Sequence, residues 1–330
     1  MARDSRTIVD LATQLGLSKT TVADALRGSG RVSESTRDRV RRAAADAGYV
    51  SNRAARQLRT KTSETIGLYI GPDVRNMPFY MPFAFGVTDA VSKHGYDLTL
   101  ISRPTPKPGE SWDHLGGAIV IDAPQNDPIV SSLVRAHLPV VSAGRVDSEA
   151  AANFAAVVEI EHAQVCHRAL DELALHGAAV PALLVLEAED SLSWSQQIRE
   201  GYLEWCRAHG VSSTTVSLPP FPSNTRVEDA LQSVLRHPDV DALLFGWHEI
   251  ADRATVMLES MGTASGRDIH LATLTSSPVD SVHRPFETVV DLRPHQFGQL
   301  ASETLLEIID RPELAPLYRV HEVEIRSRTR

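Results

Sequence analysis

Lys19, Thr20, Ala23 and Asp24 fall at i, i+1, i+4 and i+5, and Val22, Ala25 and Leu26 occupy the opposite side of the same 3.6-residue period. Wound into a helix, this segment buries the apolar stripe and turns an ammonium, a hydroxyl and a carboxylate outward. Such a trio can read base edges in a DNA major groove: Lys favours guanine O6/N7, Thr reaches several groups, and Asp accepts from cytosine N4. Other constellations fail on spacing. His248-Glu249 opens like HExxH, but the fifth residue is Asp252, so no second histidine reaches a metal. His162 and His167, five apart, take different helical faces. Cys166 and Cys206 lack any CxxC or Cys/His spacing. Gly28-Ser29-Gly30 lacks the third glycine and the preceding strand of a dinucleotide loop, and no GxSxG or Walker motif occurs. No catalytic residue, metal site or cofactor is expected, and the histidines read as surface and capping residues.

The elements that would carry the base-reading face are legible. In 7–15, Ile8, Leu11, Ala12 and Leu15 recur at i, i+3, i+4 and i+7 behind Thr7 as N-cap. A Gly16-Leu17 turn leads to Ser18, a second N-cap. A third helix opens on Ser33, runs through Val40, Ala43, Ala44 and Ala47, and is expected to stop at Gly48. Two helices joined by so short a turn form a helix-turn-helix, whose second helix enters the major groove. Charge agrees. The 33 Lys+Arg and 42 Asp+Glu sum to -9, yet residues 1–61 hold 13 basic and 6 acidic side chains (+7), leaving 20 and 36 (-16) beyond. A basic head on an acidic body directs the head to a polyanion.

From Thr65 onward, apolar runs at 66–70, 98–102, 118–121 and 140–143 alternate with amphipathic stretches at 83–94 and 128–137. The pattern repeats, with strands expected at 157–159, 182–186, 215–218, 242–245, 270–274 and 288–291 and helices at 162–176, 197–209, 227–236 and 250–261. Two lobes of parallel sheet covered by helices are expected, with ligands beyond the carboxyl ends of the strands. No stretch approaches the ~18 apolar residues of a membrane span, and the start lacks an apolar signal core; with two unpartnered cysteines, a cytoplasmic location is expected.

The ordered run Thr7-Ile-Val-Asp-Leu-Ala, Gly16-Leu-Ser-Lys-Thr-Thr-Val, Leu26-Arg-Gly, Val32-Ser-Glu-Ser-Thr-Arg, Gly48-Tyr49, Asn52, Ala55-Arg-Gln-Leu-Arg-Thr and Thr65-Ile-Gly-Leu closely resembles the N-terminal signature of the LacI/GalR family of bacterial transcription regulators. The resemblance implies base reading by Lys19, Thr20 and Asp24. It implies DNA backbone or hinge contacts by Thr7, Ser18, Thr21, Arg27, Tyr49, Asn52, Ala55 and Leu58, with Leu58 as a wedge that kinks the minor groove. It further implies an all-α helix-turn-helix head (1–51), a hinge helix and linker (52–62), and a two-lobed α/β core similar to periplasmic sugar-binding proteins. The N-terminal lobe would comprise 63–158 and 293–318, the C-terminal lobe 159–292 and 319–330.

The family's effector pocket maps unevenly. Asn76, Pro78, Phe79 and Tyr80 match, as does Arg145. Ile198 stands where many members carry an arginine, Trp247-His248 replaces Asn-Asp, Ser276-Ser277 replaces Asp-Asp, and Arg293 replaces a glutamine. Asp122, Trp194 and Arg103 complete the expected set. Aromatic faces suit sugar rings, and Arg103, Arg145 and Arg293 add sugar acids and sugar phosphates to the expected ligands. The implied protein is a homodimer on double-stranded operator DNA, most often a repressor, with no membrane partner and no leucine heptad at 315–330 to make a tetramer. The competing reading is a sugar-binding or catalytic module whose basic head contacts something other than DNA.

Overall fold

The computed structural model describes residues 7–27, 32–47, 49, 63–72, 74–124, 126–146, 151–187, 192–263, 268–275 and 286–327. Contacts divide the chain into two units, Met1–Thr62 and Ser63–Arg330.

The first unit holds α1 (Ile8–Leu15), α2 (Lys19–Arg27) and α3 (Glu34–Asp46). Thr7 and Asp10 form a reciprocal capping box on α1, and Gly16 closes that helix at φ 65, a conformation that favours glycine. Ser18 Oγ accepts from Thr21 N at 3.0 Å, and Ser33 caps α3. Leu11, Ala12, Val22, Ala25, Val40 and Ala44 form the core. Two expectations need correction. The third helix ends at Asp46 with Ala47 as its C-cap, and Gly48 lies outside the described residues. Ala23, expected on the outward face, is buried, since a single methyl has no reach past its larger neighbours.

The second unit contains two six-stranded sheets. The first uses β1 (Thr65–Ile70), β2 (Asp97–Ile101), β3 (Gly117–Ile121), β4 (Val140–Ala143), β5 (Ala156–Glu159) and β11 (Leu317–Val320) in the order β11-β5-β4-β3-β1-β2, all parallel. The second uses β6 (Pro181–Leu186), β7 (Thr214–Leu218), β8 (Ala242–Phe245), β9 (His270–Thr275), β10 (Thr288–Asp291) and β12 (Glu324–Ser327) in the order β12-β10-β9-β8-β6-β7, with β12 antiparallel to β10. Central strands such as Gly-Ala-Ile-Val-Ile of β3 are buried on both faces, which is why they read as unbroken apolar runs. The helices α4 (Tyr80–Lys93), α5 (Pro128–Arg135) and α10 (Pro294–Asp310) accompany the first sheet. The second is accompanied by α6 (His162–Leu175), α7 (Ser193–His209), α8 (Asn224–Leu235) and α9 (His248–Ser260). The chain passes between the sheets three times, after Glu159, after Asp291 and after Val320.

Where α4 crosses α10, glycine on each helix lets the backbones meet. A Cβ on Gly86 would stand 1.9 Å from the His295 carbonyl oxygen, and one on Gly298 would stand 2.2 Å from that of Phe83. Backbone cannot swing aside as a side-chain tip can. Gly298→Ala should therefore destabilise the protein by about 1–3 kcal/mol despite alanine's better helix propensity. A chemical-denaturation midpoint unchanged or raised in the variant would contradict this packing.

Candidate functional site

The carboxyl ends of the strands and the first turns of the helices that follow them build one cleft. Met77, Pro78 and Phe79 come from the loop after β1, and Tyr80 opens α4. Asp122 directly follows β3 at φ 44, a strained backbone for a residue other than glycine. Tyr80 Oη donates to Asp122 Oδ2 at 2.9 Å. Behind the carboxyl lies Gly144, where a Cβ would come within 2.7 Å of Asp122 Oδ1. From the other lobe come His162 at the start of α6, Trp194 and Ile198 of α7, Gly246 to Glu249 after β8, Leu274 of β9 and Leu292 after β10. Together they line a cleft partly open to solvent. Arg145, Ser193, Gln197 and Phe297 line an adjoining recess. Phe79 stacks on Phe83 and meets Tyr80 and Phe297 edge-on, so the apolar wall on this side is a rigid aromatic cluster.

Desolvation governs the charges. Burial pushes the Asp122 carboxyl up to about 7, offset in part by the Tyr80 hydrogen bond, and raises Glu249. The same cause drives the His162 imidazole down to about 3, leaving it neutral. Several buried polar atoms find no partner among the described residues: His162 Nδ1, Trp247 Nε1, Glu249 Oε2 and, in the recess, Gln197 Nε2. A buried group left unpaired is costly, so unpaired donors and acceptors on residues that line a cavity suit a ligand that supplies both.

Phe79, Tyr80, Asp122, Trp194, Ile198, Trp247 and His248, expected from sequence, all line the cleft, and Arg145 lines the recess. Three do not join them. Arg103 pairs with Glu110 and lies over the Trp112 ring, 5.2 Å from its centroid, because those partners flank it on its own lobe. Arg293 caps α10 at φ 50 and donates its backbone N–H to Asp291 Oδ1 at 2.9 Å; it lines neither the cleft nor the recess. Ser276 lies outside the described residues. Sequence reading missed His162, Glu249 and Gln197, and it placed His162 and His321 among surface histidines. His162 in fact lines the cleft, and His321 is buried. Their position just past β5 and β11, at crossings between lobes, was the available signal.

In the head, Lys19 and Thr20 are exposed in the first turn of α2, and Asp24 is half-buried one turn on. Thr7 caps α1, Ser18 caps α2 and shares a 2.8 Å hydrogen bond with Thr21 Oγ1, and Tyr49 packs on the head core. The Arg27 side chain, Asn52, Ala55 and Leu58 lie outside the described residues.

Residues 7–52 match the family model for bacterial regulatory proteins, lacI family, and residues 63–326 match that for periplasmic binding proteins and the sugar binding domain of the LacI family. The chain belongs to the LacI family. The HTH-type transcriptional regulator CelR of Thermobifida fusca is 26% identical over 349 residues, covering 99% of both chains, and RafR of Escherichia coli is 27% identical over 91% of each. The lac repressor dimer bound to operator and the anti-inducer ONPF superposes with a TM-score of 0.81 at 16% identity over 98% of each chain. A CelR–cellobiose complex gives 0.67 at 22%, covering 98% of this chain and 99% of that one. This LacI-family member is a DNA-binding transcription regulator with an α/β effector core, and its relatives are regulators rather than enzymes. No helix among the described residues is long and apolar enough to cross a membrane.

Because Asp122 titrates near 3.8 when unfolded and about 7 in the fold, the folded protein holds that proton between those values. Stability from this group therefore falls as pH rises from about 4 to 7, then levels. His162, depressed in the fold, works in the opposite sense over 3 to 6.5 and is common to both proteins in a comparison. Asp122→Asn should gain on wild type progressively from pH 4 to 7, by on the order of 1–3 kcal/mol. Parallel stability curves across that range would show that the carboxyl is not desolvated.

Proposed function

We propose that this regulator is a cytoplasmic homodimeric repressor whose hold on operator DNA is set by an uncharged saccharide bound between the lobes. The observation that carries the ligand class is the cleft's inventory. Trp194, Trp247, Tyr80 and Phe79 offer flat apolar faces, Trp247 Nε1 and Glu249 Oε2 are an unpaired donor and acceptor, and among the described residues no Lys or Arg lines the main cleft. A sugar hydroxyl both donates and accepts, and its ring CH patches pack on aromatic faces. Sugar acids and phosphates lose the support that Arg103 and Arg293 were expected to give. Arg145 lines only the adjoining recess, where it is half-exposed and stands 3.9 Å from Glu200. The complexes of CelR with cellobiose and of the lac repressor dimer with operator support the same reading.

In the head, Lys19, Thr20 and Asp24 read bases. Thr7, Ser18, Thr21, Arg27 and Tyr49 contact the backbone, and Asn52, Ala55 and Leu58 belong to a hinge at 52–62, with Leu58 wedged in the minor groove. We place the lobe boundaries at the crossings themselves, after Glu159, near Leu292 and after Val320, in place of the expected cuts at 158 and 318, because β5 and β11 run on to Glu159 and Val320 in the first sheet. Met81 and Phe85 of α4, Leu100 of β2 and Val256 of α9 are large exposed apolar residues that a second copy would cover.

Asp24→Asn should shift base preference at one operator position by about 1–3 kcal/mol while leaving binding to random DNA unchanged. Selection from a randomised duplex library that returns identical motifs for both proteins would place Asp24 away from the bases. In thermal-melt scans, neutral mono- and disaccharides including cellobiose should contain the stabilising ligand, while gluconate and glucose 6-phosphate should shift nothing. Stabilisation by the anions alone would refute the uncharged class.

A further inference from the structure

His321, on the third crossing between the lobes, reaches both of the others. Its backbone N–H donates to the Glu159 carbonyl at 2.8 Å, at the end of β5 where the chain first crosses. Its Nε2 lies 3.1 Å from the Leu292 carbonyl oxygen, at the second crossing. A carbonyl can only accept, so Nε2 carries the hydrogen and the ring is held in that tautomer. The ring is buried and packs 5.1 Å from the Phe297 ring, centroid to centroid. Burial also drives its pKa down to about 4, so it is neutral over the working pH range. The two residues it holds face the ligand space: Leu292 lines the cleft and Phe297 the recess.

Three chain segments joining two lobes can each turn about their own bonds. Linked through one buried side chain and one backbone amide, they cannot turn independently without leaving the Leu292 or Glu159 carbonyl unpaired. We propose that His321 is a positioning residue that ties the three crossings into a single hinge, so that a displacement of Leu292 or Phe297 at the cleft wall moves the crossings together. This goes beyond the saccharide reading and depends on it only for what displaces the wall.

The test uses the full-length protein without ligand, so it stands apart from the identity of the effector. His321→Leu fills the space and removes the side-chain donor; His321→Gln keeps an amide donor on a side chain of similar reach. Residue-resolved hydrogen exchange follows the amides of His162, Arg293 and residue 321, one at each crossing, with β3 and β8 as references. In the wild-type protein the three crossing amides should open at one common rate. In His321→Leu the Arg293 amide should exchange about tenfold faster, while His162 stays within about twofold of wild type, and His321→Gln should restore the common rate. Three outcomes would overturn the proposal: unchanged rates at all three crossings in His321→Leu; equal acceleration of the crossings and of β3 and β8, the mark of a general loss of stability; or a Gln variant as uncoupled as the Leu variant.

Discussion

Each lobe's sheet is completed by strands from distant parts of the chain, and this constraint shapes everything else in the core. The strand 317–320 pairs with 156–159 in the first sheet, while 324–327 pairs with 288–291 in the second. Neither lobe can be removed as a continuous segment, because α10 packs on α4 only after the chain has already built five strands of the other sheet. The required close approach of α4 and α10 is met by Gly86 and Gly298. Three neighbouring crossings then leave the lobes as two stiff bodies joined along one line, and the carboxyl ends of the parallel strands open toward the space beside it.

Burial at those ends works against charge on the acids and the imidazole alike. Burial is the largest cause of the rise at Asp122 and at Glu249, where Asp252 adds to it, and of the fall at His162. The backbone strain at Asp122 is worth roughly 1–3 kcal/mol and persists because Tyr80 Oη and the open space over Gly144 hold the carboxyl where it is. Strained backbone directly after a central strand marks a position specified by what its side chain must do rather than by the strand itself.

The fold was largely legible in the sequence because buried stripes leave a period. Leu11, Val22 and Val40 in the head and the apolar runs of β1, β3, β6 and β8 announce themselves. The cleft was less legible, for a reason that can be located. Periodicity placed the starts of three helices near 83, 197 and 250, whereas they begin at Tyr80, Ser193 and His248. Those first turns hold Tyr80, Trp194, His248 and Glu249, which line the cleft, and Tyr80 and Trp194 also belong to the core behind it. Phe79, Tyr80 and Trp247 were found only because the family pattern pointed at them. His162, Gln197 and Glu249 had no such guide. The arginines failed in the other direction: Arg103 and Arg293 have the right chemistry for an anion, but a local ion pair and a helix start claim them, and neither claim is written in their spacing.

Ile198 connects the chemistry of the cleft to its electrostatics. The family resemblance implies an arginine where this residue stands, and a guanidinium in a buried cleft would keep nearby carboxyls ionised. With a sec-butyl group in its place, no cation lining the cleft among the described residues stabilises the charge on Asp122, and burial raises the carboxyl unopposed except by Tyr80. A carboxyl that holds its proton offers a donor as well as an acceptor. Replacing arginine with isoleucine therefore does more than remove two fixed donors. Near neutral pH Asp122 is then shared between an ionised form that only accepts and a protonated form that also donates, while the buried Trp247 Nε1 has no partner among the described residues.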